Sequence, residues 1–228
     1  MSAPDLPRRA AVEAVATALL LVAVVGSGIM ADRLSAGNVG LALLANAIAT
    51  GGALVALIVA LGPVSGAQMN PVVTVVDAAL GGRPWGEVPA YVAAQIAGAF
   101  AGVAAADGMF GLPAFAASTH ARGGAAQLGS EVLATFGLLV IVFCAARARP
   151  TLVPFAVGAW ITGAYWFTSS TSFANPAVTL ARAATDTFAG IRPADAPAFV
   201  VAQLVGGALG VGFLRFVLPV TPSPEPPS

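Results

Sequence analysis

Two Asn-Pro pairs are the polar features of this chain whose spacing suggests a shared chemical task. Asn70-Pro71 is followed by Val-Val-Thr and Asn175-Pro176 by Ala-Val-Thr, so a similar string occurs once in each half of the 228 residues. Asparagine is a favoured helix N-cap, and proline fits the first helical position because no N–H is needed there. One pair alone would indicate an ordinary helix start, but two in similar surroundings predict a common site.

Two carboxylates also recur at matching places in apolar runs. Glu13 begins Glu-Ala-Val-Ala-Thr and Glu131 begins Glu-Val-Leu-Ala-Thr. An ionisable residue inside a membrane helix predicts a function by default. A symmetric pair of acids without a nearby base makes a poor proton relay, however. The favoured interpretation is support, in which each carboxylate accepts hydrogen bonds from the backbone around an Asn-Pro pair.

The composition identifies the class of protein that carries these groups. Hydrophobic residues make up 58% of the chain and charged residues 9%, against about 25% charged in soluble domains. Ten basic residues, all arginine, balance ten acids, which excludes a basic surface for nucleic acid. The one cysteine, Cys144, and the one histidine, His120, cannot build a disulfide framework or a zinc site. The sequence predicts a membrane protein without cofactor or metal that has the lipid bilayer as its partner.

Six stretches approach the roughly 20 apolar residues that a helix needs to cross a bilayer. The first is longer than the hydrophobic region of a secretory signal and has a counterpart later in the chain, so it predicts a membrane helix instead. The predicted spans are residues 10–30, 39–61, 89–106, 127–146, 152–167 and 197–218.

The two Asn-Pro strings lie between the second and third spans and between the fifth and sixth. Each continues for about ten helix-compatible residues, 70–80 and 175–184, which covers about 15 Å and only half of a bilayer. Three spans in each half turn the second copy upside down in the membrane, as in many transport proteins. We therefore predict one domain, 1–228, with an inverted repeat.

The boundaries of this repeat follow from the matching strings. Repeat one covers about residues 9–110 and repeat two about 126–219, and the Pro/Ser-rich end 220–228 predicts a disordered tail. An N-terminus inside the cell places six arginines inside and four outside, a mild positive-inside bias. Both termini are thus expected to be cytoplasmic.

Half-helices that meet by their N-termini would line a wet path, because irregular backbone inside a membrane must be covered by protein or water. Asn70 and Asn175 would offer amide donors at its centre. The two positive helix ends disfavour cations and protons while tolerating neutral solutes. The pattern therefore indicates a channel for small uncharged polar molecules.

The Asn-Pro motifs, the string Ser65-Gly-Ala-Gln and the paired Glu-x-x-x-Thr helices resemble the major intrinsic protein family, the aquaporins and aquaglyceroporins. The resemblance covers nearly the whole chain and implies an all-α membrane protein with the aquaporin fold: six transmembrane helices, two re-entrant half-helices and a pore in each subunit of a homotetramer. The chain is most similar to a bacterial branch associated with arsenic resistance, which implies the inner membrane of a bacterium.

The resemblance also implies a selectivity filter of four residues, which are Thr50, Gly163, Ser172 and Val178 in this chain. Most members of the family have an arginine where this chain has Val178. Small residues and the missing charge predict a wide, mildly polar filter. The expected solutes are glycerol-like polyols, urea, arsenous acid, methylated arsenicals and water.

Two charged residues lie at matching places beyond the Asn-Pro pairs. Arg182 is one helical turn beyond Val178 and is expected either to line the outer vestibule or to pair with the half-helix C-terminus or Asp186. Asp77 is its counterpart in the first half. A carboxylate is unfavourable at a helix C-terminus, so we predict a cationic partner, with Arg83 the nearest in sequence.

Two other functions remain open at this point. A proton-coupled carrier also uses inverted repeats and broken helices, but it needs a titratable cluster where Asn70 and Asn175 supply neutral amides. A non-conducting structural membrane protein is the other possibility, and small filter residues argue against a blocked pore. The segments expected at the membrane midplane contain no acid pair, histidine base or set of metal ligands for catalysis, so no enzyme activity is expected.

Overall fold

The computed structural model describes residues 4–218, and in that range all regular secondary structure is helical. The predicted tail, residues 220–228, lies outside the described residues. The helices are α1 (Leu6–Leu34), α2 (Val39–Ser65), α3 (Pro71–Ala79), α4 (Val88–Met109), α5 (Ala125–Ala148), α6 (Val153–Phe167), α7 (Pro176–Arg182) and α8 (Ala196–Val217).

Five of the helices are long and apolar enough to cross a membrane: α1, α2, α4, α5 and α8. The predicted fifth span corresponds to α6, whose 15 residues cover only about 22 Å. A 3₁₀ turn at Pro150–Leu152 precedes it and adds about 6 Å. Together they approach the 30 Å core of a bilayer. The two remaining helices, α3 and α7, have 9 and 7 residues and match the predicted half-helices.

Helix α2 continues beyond its predicted end and includes Pro63 in its last turn. Proline removes one backbone donor, but the turn is closed further on, where Gly66 N–H donates to Gly62 O at 2.9 Å. Gly66 has a φ of 95°, a left-handed conformation that glycine adopts without steric cost. The chain is thereby turned away from the helix axis toward the first Asn-Pro pair.

The second half of the chain is inverted relative to the first. Helix α1 begins beside Glu87, which binds Arg9, and ends near Phe110, which accepts a hydrogen bond from Arg33. Helix α8 begins at the opposite end of the protein and ends where Arg215 donates to Ala79 O at 2.9 Å. Both described ends of the chain therefore lie on the same side.

Within each half, glycines bring two long helices into close contact. Helix α1 packs on α4 and helix α5 packs on α8. A Cβ at Gly98 or Gly102 of α4 would collide with the backbone of α1, and a Cβ at Gly206 of α8 would lie 2.6 Å from Val132 O of α5. Such small-xxx-small contacts are typical of membrane helices. They fix the frame that holds α3 and α7.

Candidate pore and its filter

The two Asn-Pro segments meet at the centre of the protein and are joined by reciprocal hydrogen bonds. Asn70 Nδ2 donates to Ala174 O at 2.8 Å, and Asn175 Nδ2 donates to Met69 O at 2.7 Å. Each asparagine also caps its own helix, because Asn70 Oδ1 accepts from Val72 N–H at 3.0 Å and Asn175 Oδ1 does the same in α7. Each asparagine thus caps its own half-helix and also binds the loop that precedes the other half-helix.

The loop before Asn70 is held by Glu13, which is fully buried. Its Oε1 accepts from Ser65 Oγ at 2.7 Å and Gln68 N at 2.9 Å. Its Oε2 accepts from Met69 N at 2.7 Å and Gln95 Nε2 at 2.8 Å. Four donors compensate the carboxylate for the water it has lost.

Glu131 holds the second loop in the same way and is also fully buried. It accepts from Phe173 N and Ala174 N, both at 2.9 Å, and from Gln203 Nε2 at 2.7 Å. Ala174 has a φ of 48°, and its N–H points to Glu131 while its carbonyl accepts from the opposite asparagine. The positive φ lets one residue serve both partners, and the buried hydrogen bonds hold a conformation that would otherwise be strained.

A cavity of about 270 Å³ passes this crossing and extends from Asp77 at one end to Arg182 at the other. One part of its wall is polar and includes residues of both loops together with the two asparagines. The other part is aliphatic. The aliphatic side chains are Leu20, Val24, Leu54, Ile58, Val73, Leu138, Val142, Val153, Val157, Ile161 and Val178.

Three of the four predicted filter residues line this cavity: Thr50, Ser172 and Val178. Gly163 does not, because α6 presents Ile161 and Tyr165 to the cavity, while a Cβ at Gly163 would meet Phe167. Tyr165 thus lines the cavity and Gly163 does not. The tyrosine hydroxyl lies 3.3 Å from Thr50 Oγ1, so an aromatic ring and two hydroxyls border the path on this side.

Arg182 lines the same end of the cavity and is only 2% exposed. Its Nε donates to Ala189 O, and its guanidinium carbon lies 3.4 Å from the centroid of the Phe173 ring. The alternative pairing with Asp186 is not formed, since that carboxylate accepts from the backbone and side chain of Thr119. A fixed positive charge is therefore present at this end, although it comes from a position one helical turn beyond Val178.

Arg122 places a second guanidinium against the same phenylalanine, 5.1 Å from the ring centroid. It lies in the loop before α5, where its Nε donates to Gly190 O at 2.8 Å and burial lowers its pKa. Within residues 4–218, neither Arg122 nor Arg182 forms an ion pair. The sum of the two ring distances bounds their separation at about 8.5 Å. At an effective dielectric constant of about 20, this implies a repulsion of at least about 2 kcal/mol.

The opposite end of the cavity carries Asp77, whose charge is compensated. Gln68 Nε2 donates to Asp77 Oδ2 at 2.8 Å, and Arg83 Nε lies 3.5 Å from the same oxygen. Arg83 also donates to Glu87 at 3.1 Å, and Arg9 binds both oxygens of Glu87 at 2.6 and 2.8 Å. The partner expected from the sequence is present, and it belongs to a network that ties the first loop to α1 and α4.

Sequence and structure comparisons place this architecture among known proteins. Residues 1–168 match the family described as major intrinsic protein. The chain is 52% identical over 214 residues to the aquaglyceroporin AqpS of Rhizobium meliloti (strain 1021), with 94% of this chain and 91% of that protein covered. It is 30% identical to Aquaporin Z of Bradyrhizobium diazoefficiens, with 92% and 93% covered.

The fold has a counterpart among solved structures as well. The X-ray structure of the aquaglyceroporin from Plasmodium falciparum superimposes with a TM-score of 0.71, covering 94% of this chain and 97% of that one at 20% identity. That likeness concerns the fold alone. The family match over most of the chain, the similarity to AqpS over nearly its full length and the two joined Asn-Pro half-helices agree. The chain belongs to the major intrinsic protein family.

Proposed function

We propose that the chain is a passive channel for small uncharged hydroxylated solutes, with glycerol-like polyols as its principal class. Its family and its relatives make it an aquaglyceroporin-type membrane channel for small solutes rather than an enzyme. The proposal extends to urea, arsenous acid, methylated arsenicals and water, which are small enough and carry groups that can exchange hydrogen bonds with the polar wall.

The two-sided wall of the cavity is the observation that carries the proposal. Gly66, Ala67 and Gln68 border it from the first loop and Ser172 and Phe173 from the second, each with a polar backbone. Aliphatic side chains, mostly from α1, α2, α5 and α6, form much of the rest of the wall. A polyol has hydroxyls along one edge and C–H groups along the other, so both of its edges find matching surface. Water alone would gain nothing from the aliphatic face.

The proposed filter is the group of cavity residues nearest the Arg182 end: Thr50, Tyr165, Ser172, Val178 and Arg182. Val178 keeps the space directly beyond the second Asn-Pro-Ala free of charge. Tyr165 and Arg182 make this end narrower and more polar than four small residues would. We therefore expect moderate water flux beside solute flux.

The membrane orientation and assembly are part of the proposal. Arg8, Arg9, Arg83 and Arg215 lie at the Asp77 end with both described chain ends, and this end is proposed to face the cytoplasm of a bacterium by the positive-inside rule. Helix α2 is only 22% buried over its most apolar window. Its free face is available to lipid and to neighbouring subunits, which fits the proposed homotetramer. Light scattering of the detergent-purified protein measures the subunit number.

Stopped-flow light scattering on proteoliposomes tests the function by comparing glycerol, urea, arsenous acid and water. The informative pair of variants is Val178→Leu and Val73→Leu. Both valines line the cavity, each three residues beyond its asparagine, but at opposite sides of the crossing. If the filter lies on the Arg182 side, Val178→Leu slows glycerol by at least fivefold while Val73→Leu changes it less than twofold.

Water flux without glycerol flux in the native protein would contradict the proposal. Equal slowing by both leucine variants would place the constriction elsewhere. Glycerol flux that follows an imposed proton gradient would indicate a proton-coupled carrier instead, because flux through a channel of neutral solutes depends only on the gradient of the solute.

A further inference from the structure

Polar groups of two residues at the Arg182 end have no hydrogen-bond partner in the part of the chain that the structure describes. Arg182 uses its Nε for Ala189 O, while its two terminal nitrogens make no hydrogen bond there. The Ser172 hydroxyl, in a residue only 3% exposed, also has no hydrogen-bond partner. Both residues border the same cavity. A buried hydroxyl without a partner is costly, and guanidinium nitrogens that border a cavity can bind what enters it, so these groups point to a ligand.

The charge at this end identifies the ligand's sign. Arg122 and Arg182 share the Phe173 ring, and residues 4–218 supply neither with a carboxylate within ion-pair distance. Glu131, the buried acid of this half, offsets one of the two positive charges from a longer distance, and its oxygens are occupied by three neutral donors. The passage of neutral solutes does not require a second guanidinium. The pair therefore favours an anion.

We propose that the Arg182 end of the cavity is a binding site for a small monovalent oxyanion with coplanar oxygens, such as a short carboxylate. The planar guanidinium of Arg182 offers its free nitrogens as a fork that matches two such oxygens, and the Ser172 hydroxyl donates to one of them. Arg122 supplies a second positive charge across the ring. The inference rests on the proposed function, because an anion held here occupies the solute path and competes with glycerol.

The site is confined to one end of the channel. At the other end the charge that lines the cavity is the carboxylate of Asp77, and its cationic partner Arg83 also binds Glu87. An anion gains nothing from this compensated network. We therefore expect the anion to bind only at the Arg182 end of the cavity.

Formate is the test ligand because it is the smallest carboxylate and is fully ionised at neutral pH. Glycerol flux into proteoliposomes is measured with increasing formate on both sides of the membrane, so that protein orientation does not matter, and with chloride as the control anion. Native flux is expected to fall hyperbolically with formate and much less with chloride. In Arg182→Gln, compared with its own flux without formate, the half-inhibitory concentration rises at least tenfold.

Arg33→Gln is the matched control. Arg33 also lies over a phenylalanine ring at 5.1 Å on the same side of the protein, but away from the cavity. It should leave both glycerol flux and its inhibition by formate unchanged. Ser172→Ala, which removes one hydroxyl, is a second test and should raise the half-inhibitory concentration about three- to tenfold.

Titration calorimetry of the purified native protein with formate measures binding without transport. Glycerol flux that formate does not inhibit, or that chloride inhibits equally, overturns the oxyanion site and leaves the proposed function intact. Formate binding that disappears in Arg182→Gln, in a protein without glycerol flux, supports the site and overturns the proposed function. An Arg182→Gln variant with native formate inhibition also refutes the site.

Discussion

Replacing Glu131 by glutamine should destabilise the channel, because the carboxylate is the acceptor that shapes the second loop. The amide keeps one oxygen and turns an NH₂ group toward former donors. The less costly orientation places the amide oxygen where Oε2 was, so that Ala174 and Gln203 still donate to it, now to a neutral acceptor. The N–H of Phe173 then faces the NH₂ group and loses its acceptor. Losing one charged hydrogen bond and weakening two gives a cost of about 3–5 kcal/mol in the free energy of unfolding.

The magnitude can be measured as a thermal shift in detergent. For a chain of this size, 1 kcal/mol corresponds to roughly 2–4 °C, so Glu131→Gln should lower the melting temperature by about 6–20 °C. Asp32→Asn is the control, since Asp32 is an exposed acid near the end of α1. Its melting temperature should stay within about 2 °C of the native value, as is usual for surface changes.

The same variant separates support from proton transfer. If Glu131→Gln melts like the native protein but loses a pH-dependent part of its flux, Glu131 is a proton-relay group and the support interpretation is refuted. If it melts early and its residual flux has the native pH dependence, the carboxylate acts through the loop geometry.

Three further predictions concern the packing of α1 on α4, the proposed filter and the loop contact between Thr119 and Asp186. Gly98→Val should cost more than about 3 kcal/mol because its side chain meets the backbone of α1, whereas Gly52→Val, with nothing within 4 Å, should melt like the native protein. Tyr165→Phe should slow glycerol flux by about two- to fivefold, the effect of one neutral hydrogen bond, with little change in melting temperature. Hydrogen bonds from Thr119 lower the pKa of Asp186, so the loop contact is present above the ordinary aspartate pKa and is lost as the pH falls through the lowered one. Hydrogen exchange should show the Thr119 amide protected at neutral pH and exposed in acid or in Asp186→Asn.

The centre of the molecule could be predicted because its signals are local. Asn-Pro fixes a helix start by capping geometry, and the structure begins α3 and α7 at Pro71 and Pro176. Glu13 and Glu131 have similar sequence surroundings because each accepts hydrogen bonds from an irregular loop that lies among apolar helices. These features depend on short-range chemistry, which repeats visibly in the chain.

The filter was less accessible for a physical reason. Helix α6 is apolar around most of its circumference, so hydropathy does not indicate which face meets the cavity. The chain between α6 and Asn175 is an irregular loop with residues at positive φ, including Thr171 and Ser172, so spacing in the sequence does not show that Tyr165 rather than Gly163 lines the cavity. The burial of Arg182 on Phe173 depends on side-chain packing between non-adjacent residues, which a single sequence does not display.

In the reciprocal hydrogen bonds at the centre, the donor comes from a side chain and the acceptor from the main chain. The donors are asparagine side chains, but the acceptors are the main-chain carbonyls of Met69 and Ala174. Any residue that tolerates the local backbone can offer such an oxygen, so these two positions are free to differ in side chain, as a large thioether and a methyl group here do. The sequences of the two repeats can therefore diverge, and each can change the side chains that line its own part of the cavity, while the hydrogen bonds between the two Asn-Pro segments are kept.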